Sequence, residues 1–140
     1  MTSRLRQRAR IVRVRTIQHG LAAAVAEQAQ RRVADLEESA ARLADLRDGF
    51  GAGAGTLVGS SLASHGEIAM RLDLAREGLV RSIGTARVRA EICKDARIAA
   101  HRDQESAERA TERAIREAAR RAEKKQQQGR APRARLQDQD

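Results

Sequence analysis

The sequence predicts an all-α fold, a two-helix antiparallel coiled-coil hairpin with a disordered basic C-terminal tail. Three observations lead to this class. Ala, Arg, Glu, Gln and Leu dominate the 140 residues, and all five are strong helix formers. The chain holds 28 Ala but one Phe and no Trp or Tyr, so it lacks the aromatic residues that favour sheets. Apolar residues recur every three or four positions on either side of one Gly-rich segment, which indicates two amphipathic helices.

The first helix is predicted over about residues 4–48, because a stripe of apolar and Ala residues runs along it with steps of three or four. The early steps average about 3.67 residues and the later ones about 3.5, the heptad value. We therefore expect a coiled-coil seam with a change of pitch. Its predicted members are Val14, Ile17, Leu21, Val25, Ala29, Val33, Leu36, Ala40, Leu43, Leu46 and Phe50.

A Gly-rich loop is predicted over residues 49–66, which contain six of the ten Gly residues. Its Gly-x-Gly alternation does not match a nucleotide-binding turn, because no strand precedes it and the P-loop Lys is missing. An apolar membrane-inserting tip is an alternative interpretation of this segment. We expect a hairpin turn.

The second helix is predicted over about residues 67–125, with a seam that becomes poor in bulky residues after Ile83. Its predicted members are Ile68, Leu72, Ala75, Leu79, Ile83, Ala86, Ala90, Cys93, Ala96, Ala100, Gln104, Ala107, Thr111, Ala114 and Ala118. In the hairpin, residue i should face roughly residue 115 minus i. Residues 126–140 hold the single Pro and no seam, and are predicted to be a disordered tail. Residues 1–125 thus form one hairpin domain.

The charge of +9 is concentrated at the two ends of the chain. Residues 1–15 carry six Arg and no acid, and residues 119–140 carry seven bases and three acids, whereas residues 16–118 carry 15 bases and 16 acids. An antiparallel hairpin brings these two segments together in a basic pole beside a nearly neutral shaft. We predict that this pole binds an acidic partner. Its predicted binding residues are Arg4, Arg6, Arg8, Arg10, Arg13, Arg15, Arg120, Arg121, Lys124 and Lys125.

Several function classes are disfavoured by the same residues. Two helices offer no concave pocket in which a carboxylate, His101 or Cys93 could be desolvated for catalysis, so no catalytic residue and no cofactor are predicted. The three His residues and the single Cys lack metal-ligand spacing, so no metal site is predicted either. A nucleic acid, an anionic membrane and an acidic protein all remain possible partners of the basic pole, although aromatic residues for stacking on bases are missing.

Two segments resemble the FliJ/YscO family, the small stalk proteins of flagellar and virulence type III protein export. Residues 12–19, Val-Arg-Val-Arg-Thr-Ile-Gln-His, are similar to the opening helix of alphaproteobacterial members. Residues 107–113, Ala-Glu-Arg-Ala-Thr-Glu-Arg, are similar to the charged distal helix of the family. The layout of the whole chain, a basic first helix, a loop, a longer second helix and a polar tail, matches as well.

This resemblance implies a non-enzymatic stalk or adaptor in bacterial flagellum biogenesis. Family members link the export ATPase ring to a membrane protein of the export gate, and export chaperones are possible further partners. The basic pole would face the ATPase, the shaft would face the gate, and the protein would be cytoplasmic and peripheral to the inner-membrane export apparatus. The alternatives are a basic coiled-coil protein bound to nucleic acid or ribosomes, and a purely structural coiled coil.

Overall fold

The computed structural model describes residues 2–52 and 59–130, and both segments are helical. Helix α1 spans Ser3–Ala52 and helix α2 spans Gly59–Arg130. The carbonyl of Thr2 accepts hydrogen bonds from the backbone N–H groups of Leu5 and Arg6, as expected of a residue at the start of a helix. No strand occurs in the described segments. The predicted class, an all-α helical hairpin, is confirmed.

Both helices extend further into the Gly-rich segment than predicted. Residues 49–52 and 59–66, expected in the loop, are helical, and no described Gly has a positive φ. Across the two helices the His65 and Phe50 rings lie 4.6 Å apart, and Nε2–H of His65 donates to the carbonyl oxygen of Phe50 at 2.6 Å. This bond satisfies a carbonyl in the last turn of α1, where intrahelical partners are missing. The contacts offset the low helix propensity of Gly, about 1 kcal/mol per residue.

The other end of α2 also exceeds its predicted boundary. Residues 126–130, expected to belong to the disordered tail, continue the helix to Arg130. Three consecutive Gln residues start this stretch, and Gln is a good helix former that needs no burial to remain helical. The remainder of the predicted loop, residues 53–58, and of the predicted tail, residues 131–140, lies outside the described segments.

The inward face of α1 follows a heptad repeat, with steps that alternate between three and four residues. This pattern corrects the predicted seam: Val14, Ile17, Leu21, Val25 and Leu46 are exposed. The members of the observed seam are all buried or half-buried, and they are Val12, Arg15, His19, Ala22, Ala26, Ala29, Val33, Leu36, Ala40, Leu43, Arg47 and Phe50. The predicted change of pitch is therefore wrong.

The seam of α2 was predicted better. Twelve of its fifteen predicted members are buried or half-buried, and the exceptions are Ile68, Ala75 and Ala96. At the first of these the heptad step falls on the next residue, Ala69, which is half-buried. The inward positions of α2 therefore follow steps of three and four residues, as in α1, except that its heptad positions at Arg76 and Arg97 are exposed. A repeat of 3.5 residues on both helices is the pattern of a left-handed coiled coil.

The chain divides into two compact units, each built from a part of both helices. The second unit, Leu21–Arg97, contains the buried core: Ala29, Val33, Leu36 and Ala90, with Ala86 and Cys93 packed against it. Two exposed ion pairs join its helices, Arg47–Asp73 at 3.2 Å and Arg87–Glu37 at 2.6 Å. Apolar packing is the main contact between the helices of this unit.

The first unit, Met1–Gly20 with Ile98–Asp140, pairs its helices through polar groups. Nη1 of Arg8 donates to the carbonyl oxygen of Ala110 at 3.2 Å, and Arg15 pairs with Asp103 at 3.4 Å. The rings of His19 and His101 lie 5.0 Å apart. The residue numbers in the Arg8 and Arg15 pairs each total 118, so in this unit α2 is shifted by about three residues from the predicted register. The Phe50–His65 contact of the second unit totals 115, as predicted. None of the described residues of this unit is fully buried.

Candidate partner-binding site at the basic pole

A groove lies between the start of α1 and the distal part of α2, within the first unit. Its volume is about 660 Å³. Basic side chains from both helices line it, two from each: Arg4 and Arg8 on α1, and Arg121 and Lys125 on α2. In each pair the residues are four apart and therefore neighbours on one helical face. The antiparallel pairing of the helices thus brings together bases that are more than a hundred residues apart in the sequence.

Four apolar residues also line the groove, and we call them its floor. Leu5 contributes from α1, and Ala114, Ala118 and Ala122 form a row along α2. Because Ala has only a methyl group, this row leaves the space between the helices unfilled. The groove therefore combines small apolar side chains with positive charge from both helices.

Two of the basic residues in the groove have contacts that hold them in place. The guanidinium of Arg8 donates to the carbonyl oxygen of Ala110 on the opposite helix. The guanidinium of Arg121 lies 3.8 Å from the carboxylate of Glu117, the one acid that lines the groove. Within the part of the chain that the structure describes, Arg4 and Lys125 form no ion pair. Positive charge therefore exceeds negative charge in the groove.

The remaining predicted binding residues lie outside this groove. Arg15 belongs to the heptad seam of α1, and its contacts with Asp103 and Gln18 stabilise the helix pair. The other five are exposed elsewhere on the first unit: Arg6, Arg10, Arg13, Arg120 and Lys124. The structure thus gathers four of the ten predicted residues into one groove, places one between the helices and leaves five on the surface.

Sequence reasoning missed the apolar floor. Leu5 was not included in the predicted seam, although it lies seven residues before Val12 and so continues the heptad of α1. Ala114 and Ala118 were assigned to the seam of α2, but without the observation that they open onto basic side chains. If the heptad spacing is extended back to the first residues of α1, it identifies Leu5 as a seam residue.

Other chemistry is sparse in the described residues. No cluster of three or more His, Cys, Asp or Glu side chains there could hold a metal ion. Cys93 is a free, half-buried thiol packed against the core of the second unit. Neither described helix contains a segment long and apolar enough to cross a membrane.

Comparisons of this chain with family models, with curated proteins and with solved structures found no match. The fold and the groove themselves define the protein as a helical hairpin with a basic, partly apolar groove in its first unit. A proposal about its function therefore depends on that surface and on the sequence resemblance.

Proposed function

We propose that this chain is a non-enzymatic stalk or adaptor of the flagellar type III export apparatus, which links the export ATPase ring to the export gate. The observation that carries the proposal is the convergence of Arg4 and Arg8 with Arg121 and Lys125 around one groove. Solvated bases that crowd together repel one another, and an acidic protein surface relieves that repulsion. The basic pole would be the surface that contacts the ATPase ring.

The neutral shaft supports a second contact, to the gate or to an export chaperone. On the second unit, Met70, Leu74, Val88 and Ile92 are each at least 60% exposed. The two members of each pair are four residues apart, and the pairs are 18 residues apart, which is five helical turns, so all four lie on one face of α2. Exposed apolar residues that share a face are typical of protein–protein contact surfaces.

Charge reversal at the pole tests the proposal. We expect Arg4→Glu combined with Arg121→Glu to abolish capture of the export ATPase ring and to stop swimming in the source bacterium. The matched control is Arg81→Glu combined with Arg102→Glu, the same charge change at exposed shaft positions. The control should still capture the ring.

The alternatives give different results in the same assays. A nucleic-acid-binding protein would bind bare duplex DNA with an affinity that falls steeply with salt, and would not capture the ring. A purely structural coiled coil would bind neither. Normal swimming and ring capture by the pole variant would contradict the proposal.

A further inference from the structure

The groove at the basic pole combines two features that a simple polyanion site does not need together. Its four bases come from both helices, two from each, and the apolar floor lines the same groove. A phosphate backbone requires the charge but not the floor. An apolar side chain requires the floor but not the charge. The occupant therefore has both kinds of group.

We infer that this groove binds an acidic amphipathic helix, which lies against the distal part of α2 beside the start of α1. Its apolar residues, spaced three or four apart, would rest on Leu5 and the Ala row. Its carboxylates would pair with Arg4 and Arg8 at the start of α1 and with Arg121 and Lys125 on α2. This inference rests on the proposed function, because it specifies the partner chemistry of the same pole.

The dimensions of the groove fit this occupant. The row from Ala114 to Ala122 rises about 12 Å along α2, a little more than two helical turns. A helix that lies against it would therefore place two or three apolar residues on the floor. Small residues allow two helices to approach closely, so Ala at these positions leaves room for the larger side chains of a partner.

The distribution of charge also favours a helix over a nucleic acid. Glu117 also lines the groove, beside Arg121, and would repel a continuous phosphate backbone. Carboxylates on a helix are separated by a turn, so they can pair with the four bases while an uncharged position faces Glu117. Arg8 is already held by the carbonyl of Ala110, which reduces the side-chain entropy that its pairing would cost.

The test measures binding of a synthetic peptide to the full chain by fluorescence anisotropy. The peptide consists of heptads with Leu at positions a and d and Glu at positions e and g. We expect it to bind, and we expect at least about a tenfold loss of affinity when Ser replaces its Leu residues or Lys replaces its Glu residues. Duplex DNA of the same charge should bind more weakly than the acidic Leu peptide.

Two matched pairs of variants locate the site. Ala118→Glu places a carboxylate on the floor, whereas Ala119→Glu makes the same change at the next residue, which is exposed and outside the groove. Arg4→Glu alters a groove residue, and Arg6→Glu alters an exposed neighbour on the same helix. In each pair we expect the first variant to weaken peptide binding about tenfold or more and the second to leave it nearly unchanged.

Several outcomes would overturn the inference. One is equal binding of the Leu and Ser peptides, or tighter binding of DNA, and another is equal weakening by both members of a pair. If circular dichroism shows that Ala118→Glu loses helicity, the surface pair at Arg4 and Arg6 decides.

Ring capture without peptide binding would reject the acidic helix and leave the proposed function standing. Peptide binding without ring capture would support the acidic helix and reject the proposed function.

Discussion

The two units use the same heptad spacing with different side chains. In the second unit the seam of α1 is apolar except for Arg47, and Val33 and Leu36 are only 5% and 7% exposed. In the first unit the seam of α1 includes Arg15 and His19, and that of α2 includes Gln104 and Thr111 among Ala residues. Spacing determines which residues face the other helix, but burial of large apolar groups determines how strongly the helices are held together.

This difference separates stability from binding. The second unit contains the whole buried core of the described residues, whereas the first contains the basic groove. Regions with few buried apolar contacts open at low free-energy cost and are frequently the regions that bind partners. A partner that binds only the folded form would stabilise the first unit in proportion to its affinity.

The largest expected effect comes from the apolar core of the second unit. Leu36→Ala should lower the free energy of unfolding by about 2 to 4 kcal/mol, because it removes a buried side chain and leaves a cavity. The measurement is urea denaturation followed by circular dichroism.

The control for this prediction is Leu46→Ala on the same helix. Leu46 is 55% exposed although a seam based on bulky residues includes it. We expect its replacement to change the free energy of unfolding by about 0.5 kcal/mol or less. Similar losses in both variants would contradict the observed seam.

The failure of sequence reasoning in the first half of α1 has a physical cause. Bulky residues at positions 14, 17, 21 and 25 form the most apolar stripe there, so the prediction followed them. In the structure Ala22 and Ala26 are half-buried instead, since these continue the heptad that Val33 and Leu36 establish. To turn the bulky stripe towards α2, α1 would need an irregular step in its heptad repeat. The heptad repeat of α2 has no irregular step that would match it.

The seam of α2 was predictable because its apolar residues and its heptad positions coincide from Leu79 to Cys93. The composition of the basic pole was predictable from the charge of the two end segments. The groove was not, because a register error of about three residues is enough to change which side chains of α1 and α2 meet. The helical ends near Gly49 and Gly66 depend on the pairing of Phe50 with His65, a contact between residues of different helices.

An intermediate effect is expected in the first unit from Gln104. Its Oε1 is buried without a hydrogen-bond partner, while its Nε2 donates to Glu108 at 2.9 Å. Gln104→Leu removes this unpaired oxygen and adds apolar surface to the seam. We expect the free energy of unfolding to rise by about 1 kcal/mol.

Gln126→Leu is the control for this variant, because Gln126 is exposed on the same helix. Thermal unfolding of both variants, monitored at 222 nm, compares them directly. A gain for Gln104→Leu alone would support a polar seam as the weak part of the first unit. A loss for that variant would show that the amide stabilises the seam.

The smallest effects are expected from the ion pairs between the helices, of which we compare one from each unit. Arg87–Glu37 in the second unit has an N–O distance of 2.6 Å, and Arg15–Asp103 in the first has 3.4 Å. All four side chains are more than 40% exposed. Double-mutant cycles with Ala should therefore give coupling energies of about 0.2 to 1 kcal/mol, with the larger value for Arg87–Glu37. Both couplings should shrink at high salt, since exposed charges are screened.

A coupling energy well over about 1 kcal/mol for Arg15–Asp103 would contradict this expectation. Ion pairing would then take the place of apolar burial in the first unit, and the weakly apolar seam would no longer imply low stability there.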